Sequence, residues 1–152
     1  MRRDAMDNHI HLEHVTPENW RIDFQLTEEQ KNFVSSPERI LARAWAYRDK
    51  RSQAFIRYAG DTPVGMTMYY DEEEMQAYDF SQLFIDCRYQ GKGYGKKAAG
   101  MILDMMKADG KYNKVCLCYI EENEVARKMY EGLGFKATGD RDGNEIVMLK
   151  ER

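Results

Sequence analysis

Gly91, Gly93 and Gly95 alternate with Lys92 and Tyr94, directly after the apolar run Leu83-Phe84-Ile85 and before Lys96 and Lys97. Glycines at this density remove side chains where a backbone turns from a strand into a helix. The turn leaves amide N–H groups exposed at the positive end of a helix dipole, and three lysines add charge there. The chemistry this suits is the binding of a phosphate or pyrophosphate. Two familiar phosphate motifs do not fit. A P-loop needs Gly, four residues, then Gly-Lys-Ser/Thr, whereas Gln90 holds the first position and Lys97 the last. A dinucleotide fingerprint needs Gly-x-Gly-x-x-Gly, and the glycines here run Gly-x-Gly-x-Gly. A plain strand-to-helix connection also explains such glycines, so the rest of the chain must decide.

The elements that would hold this turn follow from periodicity. His9–Val15 alternates as a first strand; its three histidines find no further histidine or cysteine to complete a metal site. Thr16-Pro17-Glu18, the capping box Thr27-Glu28-Glu29-Gln30, and Ser36-Pro37-Glu38 read as three helix starts. Strands are predicted over Gln53–Ala59 and Pro63–Tyr70, joined at Gly60-Asp61-Thr62. Asp71-Glu72-Glu73-Glu74 reads as a solvated hairpin tip leading into Gln76–Asp86. In that strand the apolar parity runs Tyr78, Phe80, then slips to Leu83, Ile85, which suggests a β-bulge near Ser81-Gln82. A helix over 93–109 buries Ala98, Met101, Ile102, Met105 and Met106, and ends at Asp109-Gly110. A strand at Val115–Tyr119, a helix at Glu124–Leu133 and a terminal hairpin of Phe135–Thr138 with Glu145–Leu149 complete the chain. The fold class is α/β: a single domain with a mixed, mostly antiparallel sheet and helices on both faces. The domain is expected over 9–152, with 1–8 as a tail.

Composition narrows the partners. The 152 residues are 43% hydrophobic and 32% charged, ordinary for one globular domain. A net charge of −3 offers no general basic field for nucleic acid, and no apolar run reaches membrane-spanning length. Cys87, Cys116 and Cys118 are an odd number, which suits a reducing cytoplasm better than a disulfide framework. A homodimer is neither required nor excluded.

A second motif settles the first. Gln90-Gly91-Lys92-Gly93-Tyr94-Gly95 matches Gln/Arg-x-x-Gly-x-Gly/Ala, and Asn123-Glu124-Val125-Ala126 through Tyr130 to Gly134-Phe135 matches Asn-x-x-Ala-x-x-x-Tyr-x-x-x-Gly-Phe. Together, and in this order, they resemble the GNAT superfamily of acyl-CoA-dependent N-acetyltransferases, over nearly the whole chain. In texture the chain is most similar to the bacterial spermine/spermidine (diamine) N-acetyltransferases, through Phe84-Ile85-Asp86, Arg88-Tyr89-Gln90-Gly91-Lys92-Gly93 and Leu26-Thr27-Glu28-Glu29-Gln30. The resemblance implies acetyl-CoA as co-substrate and no metal. It implies that the backbone from Gln90 through Gly91, Lys92, Gly93, Tyr94 and Gly95 to Lys96 holds the CoA pyrophosphate. The Phe84 and Ile85 backbone would pair with the pantetheine arm, Asn123 would hydrogen-bond it, Lys128 would lie near the phosphates, and Tyr130 would protonate the leaving thiolate. Alkyl amines titrate near ~10.4 in water, so the acceptor also needs a proton sink.

One departure stands out. Several polyamine acetyltransferases carry a carboxylate where Ser81 aligns, and serine is no base at neutral pH. Asp79, Glu121 or Glu28 would have to replace it, or the substrate differs. The expected substrate-binding set is Glu28, Glu29, Asp79, Ser81 and Glu121, and the leading acceptor is a polyamine such as spermidine or spermine. Two alternatives stay open: another amine, such as an aminoglycoside or a protein amino group, and a non-catalytic acyl-CoA-binding sensor.

Overall fold

A computed structural model describes residues 9–151; the expected tail at 1–8, and Arg152, lie outside the described residues. In chain order the elements are β1 (Ile10–His14), α1 (Glu28–Lys31), α2 (Pro37–Ala46), β2 (Gln53–Ala59), β3 (Thr62–Glu72), β4 (Ala77–Ile85), α3 (Tyr94–Asp109), β5 (Lys114–Ile120), α4 (Glu124–Gly132), β6 (Lys136–Asp142) and β7 (Glu145–Glu151). The described strands form one sheet in the order β1-β2-β3-β4-β5-β7-β6. All neighbours are antiparallel except β4 and β5.

Period-two alternation sends neighbouring residues to opposite layers. Phe55, Tyr69, Tyr78, Phe80, Val115 and Leu117 pack with Ala99, Ile102 and Met106 of α3 and with Tyr130 of α4. Their neighbours Ile56, Met66, Met68, Tyr70 and Phe84 pack with Phe24 and the fully buried Ile40 of α2. The two helical layers therefore follow from strand parity, as expected.

The seam between β4 and β5 positions the site. Only Tyr78↔Val115 and Asp79↔Cys116 pair across it. On the other side of β4, Met68 pairs with Gln82 but Tyr69 pairs with Phe80, leaving Ser81 as the extra residue of a bulge. That is where the parity slip predicts it. A bulge bends its strand and increases local twist. Beyond it β4 and β5 separate, and the β5-facing edge of β4 from Phe80 to Ile85 has no partner strand. Close approach of β3 on the other side requires Gly65, where a Cβ would sit 2.2 Å from the Phe84 carbonyl oxygen.

Three expectations need correction. No helix starts at Thr16; residues 17–21 are turns. The Thr16 carbonyl accepts from the N–H groups of Asn19 and Trp20 at 3.2 and 3.1 Å, so a single turn forms and goes no further; the Asn19 side chain ties it back, Oδ1 accepting from the Thr16 N–H at 2.8 Å and Nδ2 donating to the His14 carbonyl at 3.0 Å. The acidic run is not a solvated tip throughout, because β3 continues to Glu72 and Asp71 is 2% exposed. The terminal hairpin is longer than expected, with a register break between Ala137 and Arg141 that contains Gly139 at φ 93°.

Candidate active site

A cleft of about 710 Å³ opens where β4 leaves β5. Its floor is Leu83, Phe84 and Ile85, its walls the turn 89–96 and the start of α4, and its roof the 27–34 segment. Gly91 and Gly93 both adopt φ +80°, a left-handed conformation that favours glycine. Gly93 caps α3 without a side chain, and the first hydrogen bond of the helix runs from Lys97 N–H to the Gly93 carbonyl. The amides of Tyr94, Gly95 and Lys96 thus have no intrahelical acceptor. No acid occupies that first turn, and Lys96 and Lys128 line the cleft. This is a fitting cradle for a pyrophosphate.

The floor offers a strand edge. The Phe84 carbonyl lies towards Gly65 of β3, so alternation turns the polar backbone groups of Leu83 and Ile85 to the open side. The Ile85 carbonyl there accepts from Gln30 Nε2 at 2.6 Å and from Gln90 Nε2 at 3.1 Å. Gln30 also closes the capping box of α1 with Thr27, which locks the roof to the floor. Neither Leu83 nor Gln30 emerges from sequence reasoning as a site residue, although the capping box itself is legible.

Tyr130 stands on α4 between Phe80 and Phe135, with ring centroids 6.1 and 5.7 Å away and both pairs edge-on. It lines the cleft, and among the described residues its hydroxyl has no hydrogen-bond partner. Burial raises its pKa above the ordinary phenol value, and Arg57 opposes this. The phenol is therefore a proton donor at neutral pH. Asn123 caps α4 by accepting from Ala126 N–H at 3.2 Å, which leaves its side-chain NH₂ available to the cleft. Arg57, on β2, is fully buried, and among the described residues its guanidinium has no hydrogen-bond partner; burial pushes its pKa down to about 9.

On the cofactor side the cleft thus gathers Phe84, Ile85, Gln90, Gly91, Gly93, Tyr94, Gly95, Lys96, Asn123, Lys128 and Tyr130. Lys92 is exposed and does not line it. Tyr94 lines it, but its ring is also buried against Ala59 and Val64.

The expected acceptor residues scatter. Ser81 lines a second, polar pocket of about 430 Å³ on the separated strands, with Gln82, Cys118 and Tyr119; Phe33 and Val34 wall both spaces. Glu29 lines the first cleft instead. Glu28 is 91% exposed and pairs with Lys31 at 3.2 Å, and Glu121 pairs with Arg141 at 2.8 Å; neither lines a pocket. Both carboxylates are held by a nearby cation on the surface. Asp79 is half-buried, accepting from the Tyr70 hydroxyl at 2.9 Å, and desolvation pushes its pKa up to about 6. It remains within electrostatic reach of Arg43 and Glu145, which line the polar pocket. Among the described residues no group of three or more His, Cys, Asp or Glu could hold a metal, and no helix is long and apolar enough to cross a membrane.

The geometry can be set beside known proteins. The spermine/spermidine N(1)-acetyltransferase of Bacillus subtilis is 31% identical over 93% of this chain and 98% of its own length. The PaiA N-acetyltransferase of Thermoplasma acidophilum, solved in complex with coenzyme A, superposes with a TM-score of 0.72 at 19% identity, covering 95% of this chain and 99% of that one. The aminoglycoside acetyltransferase AAC(6')-Ib, also solved with coenzyme A, gives a TM-score of 0.78 at 14% identity, covering 95% of each chain. The model of the acetyltransferase (GNAT) family matches residues 17–135. The chain belongs to that family and is an N-acetyltransferase that uses acetyl-CoA.

Proposed function

We propose that the chain transfers the acetyl group of acetyl-CoA directly to a primary amine of a small substrate. The observation that carries this reading is the meeting of three parts in one cleft: the open amides after Gly93, the unpaired edge at Leu83 and Ile85, and the unbonded hydroxyl of Tyr130. Bound acetyl-CoA supplies an activated thioester. The neutral amine nitrogen attacks its carbonyl carbon, forming a C–N bond as the C–S bond breaks. Backbone N–H groups at the open edge suit the oxyanion that develops. The departing sulfur takes the Tyr130 proton, and the amine proton leaves towards water in the polar pocket; Asp79 does not line that pocket but lies within electrostatic reach of its Arg43 and Glu145, and its raised pKa suits a proton acceptor.

A polyamine such as spermidine or spermine is the acceptor that the relative's name supports. The test is release of free thiol from acetyl-CoA across a panel of spermidine, spermine and monoamines, with the acetylated product identified by mass. Amine-dependent release is expected. Tight acetyl-CoA binding with no release for any amine would replace this reading with a non-catalytic sensor.

A further inference from the structure

The polar pocket has a charge that the relative's name does not explain. Lys31, Arg39 and Arg43 line it against a single lining carboxylate, Glu145. Lys31 is engaged by Glu28, but among the described residues neither Arg39 nor Arg43 makes an ion pair at contact distance, although Arg43 is within electrostatic reach of Asp79. Arg43 rests on the Tyr47 ring at 5.8 Å, and among the described residues the Arg39 guanidinium has no hydrogen-bond partner. The two arginines are four residues apart on α2, hence on one helix face, where like charges repel. Such a pair gains most from a ligand that neutralises it, and guanidinium forks match carboxylate and phosphate oxygens. The opposite wall of the pocket is made of strand residues, Ser81, Gln82, Cys118 and Tyr119, with Glu145 of β7 as its one lining carboxylate. The pocket is therefore polarised, with room for a cationic or neutral nitrogen at the strands and an anion at α2. A polyamine would place its remaining ammonium groups against two unpaired arginines, an arrangement that disfavours it.

We infer that the acceptor amine carries an anionic oxygen group, carboxylate or phosphate, and that Arg39 and Arg43 select it from the face of α2. The inference rests on the amine-acetylation reading above and departs from a polyamine acceptor. Matched amines test it: δ-aminovalerate, cadaverine and pentylamine share a five-carbon skeleton and differ only in an anionic, cationic or neutral tail. The expected kcat/KM for δ-aminovalerate exceeds that for cadaverine by ~10-fold or more, from charge-assisted contacts on one side and repulsion on the other. Phosphoethanolamine against ethanolamine shows whether phosphate serves better than carboxylate. Arg43→Glu should invert the order of δ-aminovalerate and cadaverine, and Arg39→Gln, at an exposed position, should shrink the ratio mainly through KM. Cadaverine equal to or better than δ-aminovalerate overturns the inference and leaves amine acetylation standing. So does Arg43→Glu slowing all three amines in proportion. Thiol release with no amine at all overturns both.

Discussion

The two ends of the β4–β5 seam are built on opposite principles. At the N-terminal end of β4 the carboxylates of Asp71 and Asp109 are answered by cations. Asp71, 2% exposed, accepts from Arg51 at 2.7 Å and Lys111 at 3.1 Å, and Asp109 accepts from Arg51 at 3.0 Å and from the Tyr78 hydroxyl. Arg51 and Tyr78 hold the Asp109 carboxyl well below the usual carboxylate range. This network ties β3, β4, the end of α3 and the turn before β5 together where the strands still pair. Past the bulge at Ser81 pairing stops, and polar groups are left facing space: amides after Gly93, the edge of β4, and the arginines of α2. One end spends its polar groups on the fold. The other leaves them open to the cleft and the polar pocket.

Substitutions at the two ends should therefore fail differently. Tyr130→Phe removes only a hydroxyl at the open end, so turnover should fall by ~10²-fold, the low end for a lost proton donor. Acetyl-CoA affinity, read by calorimetry, should change by no more than ~2-fold, since the proton matters only as the C–S bond breaks. Equal turnover, with chemistry limiting, would make Tyr130 a packing residue. Arg51→Ala acts at the closed end and leaves buried Asp71 with Lys111 alone. The cost should be about 2–3 kcal/mol in urea unfolding, less than for a fully buried pair because Arg51 is 45% exposed. Its acetyl-CoA affinity should stay that of the parent.

Asp79 stands at the last paired position and sharpens the boundary through pH. Its folded pKa, about 6, lies above the usual 3.8, so the native state holds its proton more tightly than the unfolded chain. Stability contributed by the protonated form is present below about pH 4 and lost as pH rises towards 6. Asp79→Asn should therefore gain about 2 kcal/mol of unfolding free energy at pH 7, where the carboxylate is ionised and poorly solvated, and almost nothing at pH 4, where it is neutral like the amide. Equal effects at both pH values would contradict this. The smallest effect is expected of Gly93→Val. A β-branched residue at φ +80° distorts the turn, and acetyl-CoA binding should weaken by ~10-fold, about 1.4 kcal/mol. Unchanged affinity in a folded variant would remove the turn from the site.

The same division marks what could be read from the sequence. The open end was legible because its chemistry is local. Three glycines before a helix, a capping box at Thr27 and the motif from Asn123 to Phe135 are each contiguous, and the parity slip at Ser81 locates the bulge. The closed end was not, because its partners are distant: Arg51 and Lys111 lie 20 and 40 residues from Asp71. Asp71 therefore looked like part of a solvated acidic run. The placing of the carboxylates expected on the acceptor side was illegible for a related reason. Glu28 and Glu121 have the right charge, but Lys31 and Arg141 hold them at the surface, and only the fold shows Arg39 and Arg43 turned into the pocket. At Thr16 the start signal is present, but the chain makes one turn there and does not continue as a helix.

Hydrogen exchange of the unaltered protein, with and without saturating acetyl-CoA, tests the division most directly. Binding should protect the amides of Leu83 and Ile85 and those from Gly93 to Lys96, which face the cleft without a partner strand or helical acceptor. Amides at Asp71, Asp109 and Lys111 should exchange at the same rate in both states. Protection spread evenly over both ends, or no protection at 93–96 once acetyl-CoA is bound, would contradict the account.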